Sequence, residues 1–96
     1  MRTTADQVIT ERMCHLIKQE RKARKITQIE LSGRLNITQG NLSKIENQIA
    51  VPTAIVWLNF CKLFAVWPEL PMDEQQYQKR INELKRRTET KAAWSA

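Results

Sequence analysis

The stretch from Thr27 to Asn47, TQIELSGRLNITQGNLSKIEN, constrains this chain more than any other. Thr27 and Glu30 have the Ser/Thr-x-x-Glu spacing of a capping box, so a helix is expected to start at Gln28. Leu31 and Leu35 lie four apart on one face of that helix. Asn36 follows where the chain must reverse, and asparagine is one of the few residues that tolerate a left-handed conformation. Ile37 fills the corner and Thr38 is placed to cap a second helix, to which Leu42 and Ile45 give an inward face. The other face carries Gln39, Gly40, Ser43, Lys44 and Asn47, all polar or small.

A capped helix with a polar outer face, held rigidly against a partner helix, meets the requirements for reading base edges in the major groove of DNA. The competing reading is an exposed polar face with no ligand at all. The sequence also resembles the helix-turn-helix of the Cro/CI repressor (XRE) family of bacterial and phage regulators. The matching residues are Thr27-Gln28, Glu30-Leu31-Ser32, Ile37-Thr38-Gln39, Leu42-Ser43-Lys44-Ile45-Glu46-Asn47 and Pro52-Thr53, within a resemblance that covers residues 17 to 66. It implies an all-α, five-helix, lambda-repressor-like DNA-binding domain.

The resemblance also implies roles residue by residue. Gln28 matches a glutamine that in relatives binds a phosphate and braces the next glutamine. Gln39 matches the first base-reading residue, and a glutamine can hold adenine through two hydrogen bonds. Gly40 occupies a second reading position without a side chain, which permits close approach but specifies no base. Lys44 lies one turn on, with donors suited to guanine O6 and N7. Thr38 and Asn47 suit phosphates at the two ends of the helix, Ser43 either base or backbone, and Asn41 completes the DNA-binding set. Arg21 stands where relatives pair an arginine with a glutamate at the end of the recognition helix, here Glu46.

Several positions depart from the family pattern. Glu20 stands where relatives usually carry an apolar residue, and Lys25 where many have glycine. Gln48 replaces the glycine that commonly ends the recognition helix. Gly33 inside a helix costs up to about 1 kcal/mol relative to alanine, which suggests that close packing or backbone approach requires it.

Around this core motif the chain divides at its breaks. Residues 1–70 are expected to form the DNA-binding domain, with helices at about 5–24, 28–35, 38–46 and 53–65; residues 71–90 form a C-terminal helix and residues 91–96 a flexible tail. Thr4 and Gln7 are placed to cap the first helix, and Ile9, Met13, Leu16 and Ile17 give it a core face. Its end carries Arg21, Lys22, Arg24 and Lys25, either a solvated helix terminus or a phosphate-binding edge. Thr53 can cap the fourth helix, whose Trp57, Phe60, Cys61 and Phe64 share one face. Cys61 then reads as a small core residue, and Cys14 as a packing residue or a partly exposed bystander. Ile55, Val56, Leu58 and Leu63 leave that helix with little polar face, so it needs a second cover. The cover is either the C-terminal helix, with its narrow stripe of Tyr77, Ile81 and Leu84, or a second copy of the chain. Leu58, Leu63, Tyr77, Ile81 and Leu84 are the expected dimer-interface residues, and Trp94 in the tail is either a partner anchor or an exposed residue.

Length and charge agree with this picture. Ninety-six residues suit one small core, and a net charge of +6 favours polyanions. MRTTADQV lacks the apolar run of a signal peptide, and no apolar run approaches a membrane span. The two cysteines have no metal-ligand spacing, and the single His15 has no nucleophile or metal partner, so neither a metal site, a cofactor nor an enzyme is expected. The expectation is a cytoplasmic homodimer that binds double-stranded DNA at an inverted repeat and regulates transcription, as a repressor. The alternative is an antitoxin that binds a toxin and represses its own operon.

Overall fold

Side chains placed just ahead of four helices explain where those helices begin. The Thr27 hydroxyl accepts from the Glu30 N–H at 3.1 Å, while the Glu30 carboxylate accepts from the Thr27 N–H at 3.3 Å, completing the capping box. Thr38 accepts from the Asn41 N–H at 3.1 Å, Thr53 from the Val56 N–H at 3.2 Å, and Asp73 from the Gln76 N–H at 3.0 Å. The computed structural model describes the backbone of residues 4–95 and the side chains of residues 5–88. Among these, regular structure is entirely helical: α1 (Thr4–Ala23), α2 (Gln28–Arg34), α3 (Gln39–Glu46), α4 (Ala54–Phe64), a 3-10 turn at Leu70–Met72, and α5 (Glu74–Ser95). The expected cap at Thr4 and the Trp94 side chain lie outside the described side chains.

The connections turn through left-handed residues. Asn36 adopts φ 57° between α2 and α3, as its residue type allows. Lys25, Gln48 and Ala65 do the same at φ 60°, 63° and 53° while carrying a Cβ, at a cost of about 1–2 kcal/mol each. The departures at Lys25 and Gln48 therefore keep the glycine-like backbone rather than changing the loops.

Leu16 and Ile17 of α1, Leu31 and Leu35 of α2, and Leu42 and Ile45 of α3 meet the aromatic face of α4 in one buried cluster. Trp57 stacks on Phe60 and Phe60 meets Phe64 edge-on, both at 5.3 Å between ring centres. Trp57 Nε1 donates to the Pro68 carbonyl at 3.4 Å, satisfying the one polar atom of the indole. Both cysteines are buried. Cys14 donates to the Ala50 carbonyl at 3.7 Å, and burial, reinforced by the charge of Glu69, pushes the Cys61 thiol up to about 11.

The C-terminal helix differs from expectation in its partner. It lies along α1 and not over α4. Ile81 and Leu84 are buried there, and Tyr77 sits beneath the Arg12 guanidinium, 4.9 Å from its ring centre, and 6.5 Å from the His15 ring. Arg12 also donates to the Pro71 carbonyl at 3.1 Å. The polar reason for this choice is Glu20, a fully buried carboxylate that Arg80 of α5 neutralises through Nε at 2.7 Å and again through Nη2. Ile81 and Leu84 are thus buried inside one chain, which leaves them no surface to offer a second copy, while Tyr77 stays half-buried. The outer face of α4 stays open, with Ile55 72 % exposed, Leu58 54 % and Leu63 37 %. Helix α5 also continues to Ser95, beyond the stop expected near Thr90, because Lys91, Ala92 and Ala93 favour helix and no glycine or proline interrupts them.

Gly33 is a second correction. A Cβ built there would meet nothing within 4 Å, so neither close packing nor backbone approach within the chain demands glycine.

Candidate nucleic-acid interface

The α2–α3 pair is tied to α1 by a buried charge. Glu46, in the last turn of α3, has a side chain only 1 % exposed. Arg21 grips it bidentately, Nε to Oε2 at 2.7 Å and Nη2 to Oε1 at 3.0 Å, and adds a bond from Nη1 to the Ile26 carbonyl at 3.0 Å. A planar guanidinium holding both carboxylate oxygens fixes the direction as well as the position of α3 relative to α1.

The same carboxylate begins a chain of side-chain bonds that ends at the surface. Gln28 Nε2 donates to Glu46 Oε1 at 3.1 Å, and Gln39 Nε2 donates to Gln28 Oε1 at 2.7 Å. The orientation of each amide is thereby dictated by the charge beneath it, since Glu46 can only accept. One N–H of Gln39 is used in this brace, and its Oε1 and second N–H are left for a ligand.

Around Gln39 the outward face of α3 is open. Gly40, Asn41, Lys44 and Asn47 are exposed and Ser43 is half-buried, and Asn47 Nδ2 donates to Ser43 Oγ at 3.5 Å. Thr38 is exposed, although its oxygen already caps the helix. A Cβ on Gly40 would meet only open space. Lys44 makes no ion pair among the described residues, while its carbonyl accepts from the Ile49 and Ala50 N–H groups at 2.8 and 3.2 Å and so shapes the loop after α3. The basic end of α1 divides in two. Arg21 and Arg24 are held by Glu46 and Glu20, leaving Lys22 and Lys25 exposed and outside any ion pair among the described residues.

Of the eight residues expected at the interface, Gln39, Gly40, Asn41, Ser43 and Lys44 lie on α3, Thr38 and Asn47 cap its two ends, and Gln28 opens α2. The bond from Gln28 to Glu46 was not expected, because spacing alone cannot show that an amide will share a carboxylate with Arg21. Among the described residues no cluster of His, Cys, Asp and Glu could hold a metal ion, and no helix is long and apolar enough to cross a membrane.

A short capped helix, locked by a buried ion pair and offering aligned amides and a free lysine, defines the helix-turn-helix DNA-binding class. The family model described as Helix-turn-helix matches residues 17–66, about half of the chain, and the chain belongs to that family, in its Cro/CI-like (XRE) branch. It is a DNA-binding transcription regulator of that type, and the family consists of DNA-binding regulators rather than enzymes. No curated protein and no solved structure matches the chain.

Proposed function

We propose that the protein is a cytoplasmic repressor that binds an inverted-repeat operator as a homodimer. The observation that carries this reading is the bond from Gln39 to Gln28, at 2.7 Å. It leaves one carbonyl and one N–H of Gln39, the pair that an adenine N6 and N7 would engage together. Lys44 reads guanine one turn further along, Ser43 and Asn41 adjust to the neighbouring edge, and Gln28, Thr38 and Asn47 hold phosphates at either end.

Pairing uses the exposed face of α4, namely Leu58 and Leu63 with Ile55. A two-fold axis through that face would set two recognition helices about 34 Å apart, one helical turn of DNA. Affinity then comes from counterion release and specificity from the α3 side chains. Selection of bound sequences from a random duplex pool tests the whole reading. The expected winner is an inverted repeat with half-sites about ten base pairs apart; a pool that stays random at near-physiological ionic strength overturns it.

The second reading, an antitoxin that also represses its operon, draws on the exposure of Trp67 (75 %) and Met72 (59 %) on the α4–α5 link. Co-expression with the product of the neighbouring gene tests it: a stable complex that Trp67→Ser disrupts without loss of operator binding would favour this role.

A further inference from the structure

Beyond the reading head, the cations of this chain are not spread evenly. Arg21, Arg24 and Arg80 are engaged with the buried carboxylates of Glu46 and Glu20, and Arg12 lies 3.9 Å from the exposed carboxylate of Glu74. Arg80 is therefore unavailable to a ligand. Lys18 and Lys22 lie one turn apart on α1, directly after the buried Ile17 and the committed Arg21. Lys85 of α5 follows the buried Leu84 and is exposed. None of the three takes part in an ion pair among the described residues.

The packing of α5 on α1 puts Lys85 of α5 and Lys18 of α1 near the same side chain, His15, and Lys22 lies one turn beyond Lys18. Tyr77 stands 6.5 Å from the His15 ring, so α5 crosses α1 at this level. His15 is held below its ordinary value by burial first, and then by the charges of Lys85 and Lys18, which both lie close enough to act on it. Lys18, Tyr77 and Lys85 act on His15, while Arg12 and Glu11 act on the neighbouring Tyr77. Lys22 carries the positive strip to the end of α1, beside the Arg21 that locks the recognition helix, and Lys25 continues it into the turn before α2.

We propose that Lys18, Lys22 and Lys85 form a seam between α1 and α5 that binds the phosphate backbone of duplex DNA flanking the operator. The inference rests on the operator reading above and extends it outward. The occupant follows from charge and continuity. Three ammonium groups with no ion pair among the described residues, Lys22 and Lys85 exposed and Lys18 half-buried, recognise a row of phosphates without reading sequence, and Lys22 and Lys25 lead from them to Gln28 of the reading head. Ammonium groups suit this task because a point charge on a flexible chain follows a backbone whatever its local shape. Helix α5 then has a second use besides covering α1: it widens the footprint of a small domain.

The test uses the full chain and two duplexes with one selected operator, the first ending at the operator and the second extended by about ten base pairs, one helical turn, on each side. Wild-type protein is expected to bind the extended duplex more tightly and with a steeper salt dependence. The Lys18→Gln/Lys22→Gln/Lys85→Gln variant, altered only at lysines outside the core, should lose about 2–3 units of that slope on the extended duplex and little on the short one. Lys79→Gln, on the side of α5 that faces the α4–α5 link, should behave as wild type. His15, the single histidine, gives an independent nuclear magnetic resonance readout: phosphates over the seam should raise its pKa only with the extended duplex. Equal slopes for wild type and variant, equal losses on both duplexes, or an equal loss from Lys79→Gln would each overturn the seam while leaving operator reading intact. Failure to bind either duplex overturns operator reading, and the seam with it.

Discussion

Arg80 of α5 donates through Nε, at 2.7 Å, to Oε1 of Glu20, a carboxylate of α1 sixty residues away with no exposed surface. Arg24 shares the other oxygen at 3.2 Å and reaches on to the Phe64 carbonyl at 3.3 Å, with its guanidinium 4.4 Å from the Phe64 ring centre. One buried charge thus joins the C-terminal helix, the end of α1 and the end of α4. Removing one partner of such a site costs more than the site contributes, because the remaining charge stays buried. Arg80→Ala should lower stability by about 1–3 kcal/mol, below the full cost of a broken buried pair because Arg24 remains and both guanidiniums are partly exposed. The Glu20→Leu/Arg80→Met double variant should recover most of that loss. Urea midpoints of the three proteins check it.

Base reading by Gln39 has a simple signature. Gln39→Ala should cost about 1–3 kcal/mol on the selected operator and almost nothing on random DNA. Competitive binding measured on both substrates decides the matter, since equal losses would make Gln39 a backbone contact.

The two glycines offer a matched pair. Both are exposed, both lie within helices, and neither has an atom within 4 Å of a built Cβ. Gly33→Ala and Gly40→Ala should each stabilise the fold by up to about 1 kcal/mol. Only Gly40→Ala should weaken operator binding, because its new methyl would face the bases. Thermal melts and operator titrations of the same two proteins give both answers.

The open face of α4 predicts the effect of charge on assembly. Leu58→Glu should shift the proposed dimer toward monomer with little change in helical content, because Leu58 is 54 % exposed within one chain. Sedimentation equilibrium reads the outcome, and an unchanged dimer would move the interface elsewhere.

Acid should weaken the fold through His15. Its folded pKa lies below the ordinary 6.5, from burial and from Lys85 and Lys18, so the unfolded chain binds the proton more readily. The stability contributed by keeping His15 neutral is complete above about pH 6.5 and is lost as pH falls through the folded value. Urea unfolding between pH 7.5 and 5 should show that decline, with a shallower slope in His15→Gln.

What could be read from sequence was local or was implied by the family resemblance. Thr27, Thr38 and Thr53 announce their helices because a cap is decided within four residues, and Asn36 announces its turn for the same reason. The placement of α5 was not legible. Tyr77, Ile81 and Leu84 declare an apolar stripe but not what it covers, and α4 had the apolar surplus that made it the obvious host. The deciding residue was Glu20, which looks like a surface charge until Arg80 is brought to it. Gly33 misled in the opposite sense, because a helical glycine suggests crowding and the chain provides none. At the reading face, side-chain types were legible, whereas the shared use of Glu46 by Arg21 and Gln28 required coordinates.

Because α5 closes the core within a single chain, each protomer can fold before it meets another. For a regulator that pairs through α4, operator occupancy at low abundance then rises with the square of the number of chains. Doubling synthesis would quadruple the active species, and halving it would release the promoter sharply. If the chain pairs through α4 as proposed, a leucine left uncovered there would act as a dosage threshold.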